Sequence, residues 1–319
     1  MTADVLALLR VLLAFGIAYV ALPAIVLPRP GGARSRLDVV ALNFVRWTAI
    51  VITLSHLLAA AKIYGIIALS ASFLAIAWYT KYRKRWGGFA GVLHMLMPSG
   101  TADDGPLNPD GTPIKKTKPP GRTRRLLALL GLTLPFVGVM GVSFWLRVKP
   151  ALDHVTLSPP DAYVHMSWAD AFQANVLWPD GVYPLGLAAF VSLVDVFSPF
   201  TDIVHVARFT GPIVGMLLVF AIYYAVVRLT RNPGAALLAA GAIGLFGSRP
   251  EWREPWHRLI GLVPQEFGLA LVVFGLAAAV LAVTERGGGE RVKTTRVGSI
   301  ALGGHTLTVL AAAFAAAMT

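Results

Sequence analysis

The chain has 319 residues, 56% of them hydrophobic and only 14% charged, with no cysteine and a net charge of +12. Its mean hydropathy of +0.67 means more apolar surface than a soluble domain buries, so lipid is the expected solvent. The missing cysteines exclude disulfides, zinc–thiolate sites and thiol catalysis. The positive charge is split among separate loops and forms no extended basic face with interleaved aromatics, which argues against nucleic acid as a partner.

A bilayer core about 30 Å thick needs roughly 20 apolar residues of helix, because every backbone N–H and C=O must be satisfied within the segment. Candidate spans fall at 5–27, 38–60, 64–80, 125–147, 206–228, 233–247, 258–284 and 298–319, those at 64–80 and 233–247 being short. The first reads as a retained span, since its apolar run is too long for a signal peptide and no cleavage site follows it. Basic clusters occur at Arg29/Arg34/Arg36, Lys81/Arg83/Lys84/Arg85, Lys115/Lys116/Lys118 with Arg122/Arg124/Arg125, Arg228/Arg231, and Arg286/Arg291/Lys293/Arg296. With residue 1 outside, every cluster falls on the cytoplasmic face, as the positive-inside rule requires.

The predicted fold is therefore an all-α polytopic bundle of about eight spans. A three-span unit, 1–82, precedes a Pro/Gly/Lys-rich cytoplasmic linker, 83–124, which cannot pack a core. The larger membrane unit, 125–319, follows. Within it, 181–197 is apolar enough to pass for a span, but that would put Arg228/Arg231 outside and Glu251/Glu254 inside. It reads instead as a helix on the outer surface, giving one long outer loop, about 148–202, with two interfacial helices.

That loop holds Asp153, Asp161, Asp170, Asp180, Asp195 and Asp202. After the turn Ser158–Pro160, the periodicity predicts a helix whose stripe Val164, Trp168, Phe172 and Val176 lies in the interface, with Asp161, His165 and Gln173 on the other side. Asp161 suits an N-cap accepting first-turn N–H bonds. It also suits chemistry, with His165 one turn on, around a divalent cation or a phosphate-bearing substrate.

The second outer loop, Ser248–Arg258, sets Arg249, Glu251, Arg253, Glu254, His257 and Arg258 around Trp252 and Trp256. The tryptophans fit an interfacial belt, and the charges fit surface ion pairs. Three arginines in an outer loop also fit bidentate binding of a lipid phosphate. Gln265 and Glu266, just inside the next span, belong at the headgroup level or in a cavity wall. Arg10 and Arg46 are accommodated by snorkelling or by pairing between spans, and Gly211-x-x-x-Gly215 is a helix-packing pattern.

Taken in order, the basic linker, the span, the long outer loop with Asp161-Ala-Tyr-x-His165 and the stretch Trp178-Pro-Asp-Gly-x-Tyr183-Pro-Leu-Gly186 resemble the GT-C superfamily of membrane glycosyltransferases. The likeness is greatest to the catalytic subunit of oligosaccharyltransferase and covers about 120–319. Further matches are Tyr223-x-x-Val-Val-Arg228-Leu-Thr-Arg231-Asn232, the short helix Gly234–Ala240 and the charged outer loop. The resemblance implies sugar transfer from a polyprenyl-phosphate donor to a protein or glycan acceptor, at the outer face of the cell membrane. It implies a catalytic role for Asp161, which either coordinates a divalent cation (Mg or Mn) or activates the acceptor. Glu251 and Glu254 stand where the family has a metal-binding acidic pair, spaced i, i+3 instead of i, i+2. His165, Tyr183, Arg249, Arg253 and Arg258 are the expected substrate contacts. The family pattern continues beyond Thr319, so the membrane domain is expected to be incomplete at its C-terminus. A second reading keeps the fold without the chemistry: a lipid-glycan transporter or membrane assembly subunit.

Overall fold

A computed structural model describes residues 2–28, 35–82, 122–153, 157, 161–179, 185–246, 264–287, 294–297 and 300–319. The described chain is helical apart from one hairpin. In order the helices are α1 (Thr2–Phe15), α2 (Leu22–Val26), α3 (Arg36–Ala60), α4 (Ile66–Ala77), α5 (Arg122–Asp153), α6 (Asp161–Gln173), α7 (Gly186–Val196), α8 (Ile203–Thr230), α9 (Pro233–Gly241), α10 (Pro264–Gly287) and α11 (Gly304–Ala317). The hairpin pairs β1 (Thr294–Val297) antiparallel with β2 (Ile300–Gly303), Thr294 opposite Gly303, just before α11.

Among the described residues, four helices are long and apolar enough to cross a membrane: Ala3–Val26, Arg36–Ala60, Ile203–Thr230 and Pro264–Val283. Ile66–Thr80, Gly186–Val196, Pro233–Leu245 and Thr306–Ala317 are apolar but shorter. Leu9, Leu13, Leu57, Ile67, Leu74, Leu276 and Val283 are exposed on the outside of helices whose other faces are packed. Such a sheath of exposed aliphatics belongs against lipid. The span expected at 298–319 is instead hairpin plus a 14-residue helix, while the one expected at 125–147 belongs to the longer α5.

Local sequence sets the helix ends. Ser35 and Asp38 form a reciprocal capping box at the start of α3. Asp202 caps α8 through the Val204 N–H, and Asn232 caps α9, whose first residue is Pro233. Between α1 and α2 the helix widens to a π-helical turn, Gly16–Ala21. In that register the Ala18 carbonyl would pair with residue 23, which is proline and has no N–H. The indole Nε1 of buried Trp47 donates to Ala18 O instead, at 2.6 Å, and so pins α3 to the bend.

Long-range contacts order the helices end to end. At one end, Arg228 of α8 pairs with Asp38 of α3, and Thr80 donates to Val26 O. At the other end, Arg208 of α8 pairs with Asp4 of α1, Arg10 donates to Phe200 O, and Gly186 N–H donates to Met318 O. The helices therefore run alternately up and down, with α6 and α7 at the second end. Arg46 donates to Thr308 Oγ1 and so pairs between α3 and α11, one of the two accommodations expected for it, whereas exposed Arg10 reaches a carbonyl in the turn between α7 and α8.

One core takes in residues of every described helix except α9, including α1, α3 and α4. Its centre is aromatic: Tyr19 against Phe190 at 4.3 Å, Phe190 against Phe267 at 4.4 Å, and Phe274 among Phe44, Phe220 and Tyr224. Helix α10 packs most closely on α8 and α11. Glycine makes the α10–α11 approach possible, since a Cβ at Gly275 would stand 2.8 Å from that of Ala312.

The two outer-loop helices depart from expectation. Helix α7 spans 11 residues, too few to cross a bilayer, but Gly186 through Val194 are all buried. It lies inside the bundle, against α1, α3, α6 and α8, and not on an interface. Its sequence is apolar except for Ser192 and Asp195, both of which bond to neighbouring helices or loops, so it has no polar face to turn outward, as in a helix surrounded by protein.

Candidate functional site

Helix α6 begins at Asp161, so the carboxylate-bearing residue singled out from sequence occupies the first helical position. The Asp161 side chain lies outside the described part. At the preceding turn, Leu157 N–H donates to the Tyr163 hydroxyl.

The predicted stripe is reoriented. Trp168 and Phe172 are buried, but with Ala162 and Ala169 beside them, while Val164 and Val176 are exposed. The helix thus turns its alanines inward with the two large aromatics, because small side chains allow close approach to α7. His165, expected on the side away from the stripe, is not separated from it: the residue is half-buried, stacks edge-on against Trp168 at 5.1 Å, and lines the same cleft as Val164. Gln173, also expected on the far side, reaches Asp195 of α7 with its Nε2, at 2.5 Å.

That cleft is a cavity at this end of the bundle. It has a volume of about 690 Å³ and lies between α6, α7, α10 and the end of α11, with Val164, His165, Trp168, Leu187, Gln265 and Leu269 in its walls. The size falls in the range of about 300–1,000 Å³ usual for small-ligand sites. Its lining is mostly apolar, with a few polar groups from His165, Gln265 and Thr319. Leu269 and Val272 on its α10 wall are exposed, so the cleft is open and lined there by aliphatic side chains. Gln265 is therefore a cavity-wall residue, whereas Glu266 beside it is buried in the packing and not in the cleft wall.

A smaller cavity of about 250 Å³ adjoins it, sharing Leu185, between α3 (Thr53, His56, Leu57), Trp178 and the end of α11. Its polar groups are spent on their own helix, Thr53 Oγ1 on Ala49 O and His56 Nδ1 on Ile52 O. What remains is an apolar pocket.

The second outer loop lies outside the described residues, and with it Arg249, Glu251, Arg253, Glu254 and Arg258; so does Tyr183. The helix leading into that loop is held by a residue that sequence reading passed over. Arg147 of α5 is completely buried and donates to Gly244 O at 2.8 Å, to Ile243 O at 3.3 Å and to Ser143 O at 3.1 Å. The first two carbonyls belong to the last turn after α9, the negative end of a helix, where a guanidinium is favourable. Its only sequence signal is an arginine within an apolar run.

At the same end, Asp195 is partly buried, and burial, with the nearby Asp170 and Asp202 carboxylates adding, pushes its pKa above the usual carboxylate range against the opposing hydrogen bond from Gln173. Among the described residues no group of three or more His, Asp or Glu side chains is arranged to hold a metal ion. Of the described side chains lining the cleft, His165 alone is titratable. The chain matches no family model, no curated protein and no solved structure.

Proposed function

We propose that the chain is an integral-membrane glycosyltransferase that takes a sugar from a polyprenyl-phosphate donor at the extracytoplasmic face. The observation that carries this reading is the apolar cleft flanked by α6, the helix that opens at Asp161, and open along its aliphatic α10 wall. A lipid-borne donor can reach such a cleft laterally and keep its tail in apolar surroundings while His165 and Gln265 meet its polar end. The alternation of helices supports the sidedness: the start of α3, the start of α5 and the ends of α8 and α10, where the basic clusters fall, share the end opposite α6.

In this mechanism the acceptor nucleophile attacks the anomeric carbon as the bond to the phosphate oxygen breaks. Asp161 takes the acceptor proton as general base, and polyprenyl phosphate departs, its charge met by Arg249, Arg253 and Arg258. Tyr183 and His165 contact the substrate. The carboxylate oxygens of Asp161, Glu251 and Glu254 are the chemistry a hard cation such as Mg or Mn prefers. Such a cation, when bound, would neutralise charge on the phosphate. The acceptor is a protein or a glycan.

The test is transfer of radiolabelled sugar from a polyprenyl-phosphate donor by protein in lipid vesicles. Asp161→Asn, a neutral isostere, abolishes transfer while insertion and abundance stay as in the wild type. An active Asp161→Asn protein overturns the assignment. Donor binding without turnover by the wild type would instead mark a lipid-glycan transporter or assembly subunit.

A further inference from the structure

The helix that carries Asp161 is fixed at its other end by a corner of the N-terminal helices. Two helix C-termini meet there. Helix α6 ends with Val176 N–H donating to Ala171 O and Asn175 N–H to Phe172 O, Asn175 taking the left-handed conformation at φ 62°. Helix α3 ends in the same way, with Ile63 N–H donating to Leu58 O, Lys62 N–H to Ala59 O, and Lys62 at φ 60°. Asparagine tolerates that conformation, whereas lysine adopts it uncommonly.

The two caps are bonded to each other. Lys62 Nζ donates to Asn175 O at 2.6 Å, and Tyr64 N–H donates to Asn175 Oδ1 at 2.8 Å. The Tyr64 ring stands edge-on to Phe172 at 5.3 Å, and its hydroxyl accepts from Ser192 of α7 at 2.9 Å. One corner, Lys62 to Tyr64, thus holds the end of α6 and touches α7 at once.

We infer that this corner sets the position of α6 for the reaction, with Asn175 as its positioning residue, so that the N-terminal helices belong to the transfer apparatus. Asn175 stands roughly 20 Å along the helix from Asp161 by helical rise, so it acts through the helix and touches no substrate. The inference rests on the reading that α6 carries the reacting carboxylate. Displacing a reacting group by about 1 Å can cost as much as 100-fold in rate.

The experiment uses the full chain in lipid vesicles, with hydrogen exchange read by mass spectrometry alongside sugar transfer. Asn175→Gly keeps the left-handed cap but removes the Oδ1 acceptor, whereas Asn175→Asp keeps both. Exchange across 161–173 rises on the order of tenfold in Asn175→Gly while that of α8 and α10 is unchanged, and Asn175→Asp restores it. The glycine variant also lowers kcat on the order of tenfold, with a smaller change in donor KM, because the cleft has three other walls. Unchanged exchange across α6, or a rise spread equally over every helix, overturns the inference. If the wild type transfers no sugar, the transferase reading fails, and the exchange measurement alone still decides whether the corner holds α6.

Discussion

Replacing Asp38 by alanine removes the centre of a buried polar network. The Asp38 side chain is almost wholly buried; its Oδ1 lies 2.7 Å from Arg228 Nε and accepts from the Tyr224 hydroxyl at 3.0 Å, and its Oδ2 accepts from Ser35 N–H at 2.9 Å. Breaking a buried ion pair by deleting one partner costs about 3–5 kcal/mol in soluble proteins. Arg228 keeps a fifth of its side chain exposed, so part of its charge is resolvated, which lowers that term to roughly 2–3 kcal/mol. Loss of the reciprocal cap at the start of α3 adds about 1 kcal/mol. The single variant should therefore lose on the order of 3–4 kcal/mol. An Asp38→Leu, Arg228→Met pair should lose much less, since neither charge is left alone. Reversible unfolding in detergent micelles of Asp38→Ala, and of the cycle formed by Asp38→Leu, Arg228→Met and their pair, measures both. A coupling below about 0.5 kcal/mol, within the scatter of independent sites, would refute the reasoning.

Trp47→Phe keeps an aromatic ring but leaves the Ala18 carbonyl with no donor at the π-helical bend, so it should cost about 1–3 kcal/mol; an unfolding midpoint equal to wild type would show that the indole bond is unimportant. For Asp195 the folded-state pKa is raised, so the proton is held more tightly in the folded chain than in the unfolded one. Its contribution to stability is full in acid, below the unfolded pKa of about 3.9, and is lost as pH rises through the folded value. Asp195→Asn should therefore be the more stable protein at neutral pH, with a flatter melting profile from about pH 4 upward. Parallel profiles for the two proteins would contradict this.

How much was legible beforehand depended on whether a signal is local. The long apolar runs of α1–α2, α3, α8 and α10 are visible in sequence, because a membrane helix satisfies its own backbone and needs no partner to be recognised. The four-residue spacing groups Val164, Trp168, Phe172 and Val176 on one interfacial stripe, whereas packing buries Trp168 and Phe172 together with Ala162 and Ala169, whose small side chains admit a neighbouring helix, and leaves the two valines exposed. The burial of α7 is not legible in sequence, because charge placement says only that a segment does not cross, not whether it rests on lipid or inside protein.

The sequence by itself determined a helical membrane chain with its positive charge gathered in alternate loops, since hydropathy and charge act through the solvent. Tertiary structure alone decided that the helices of 2–82 share one core with most of those that follow, that a cleft opens beside His165, and that Asn175 meets Tyr64 across 111 residues of chain. Those are contacts between segments far apart in sequence. No local propensity encodes them, and they exist only once the helices have packed.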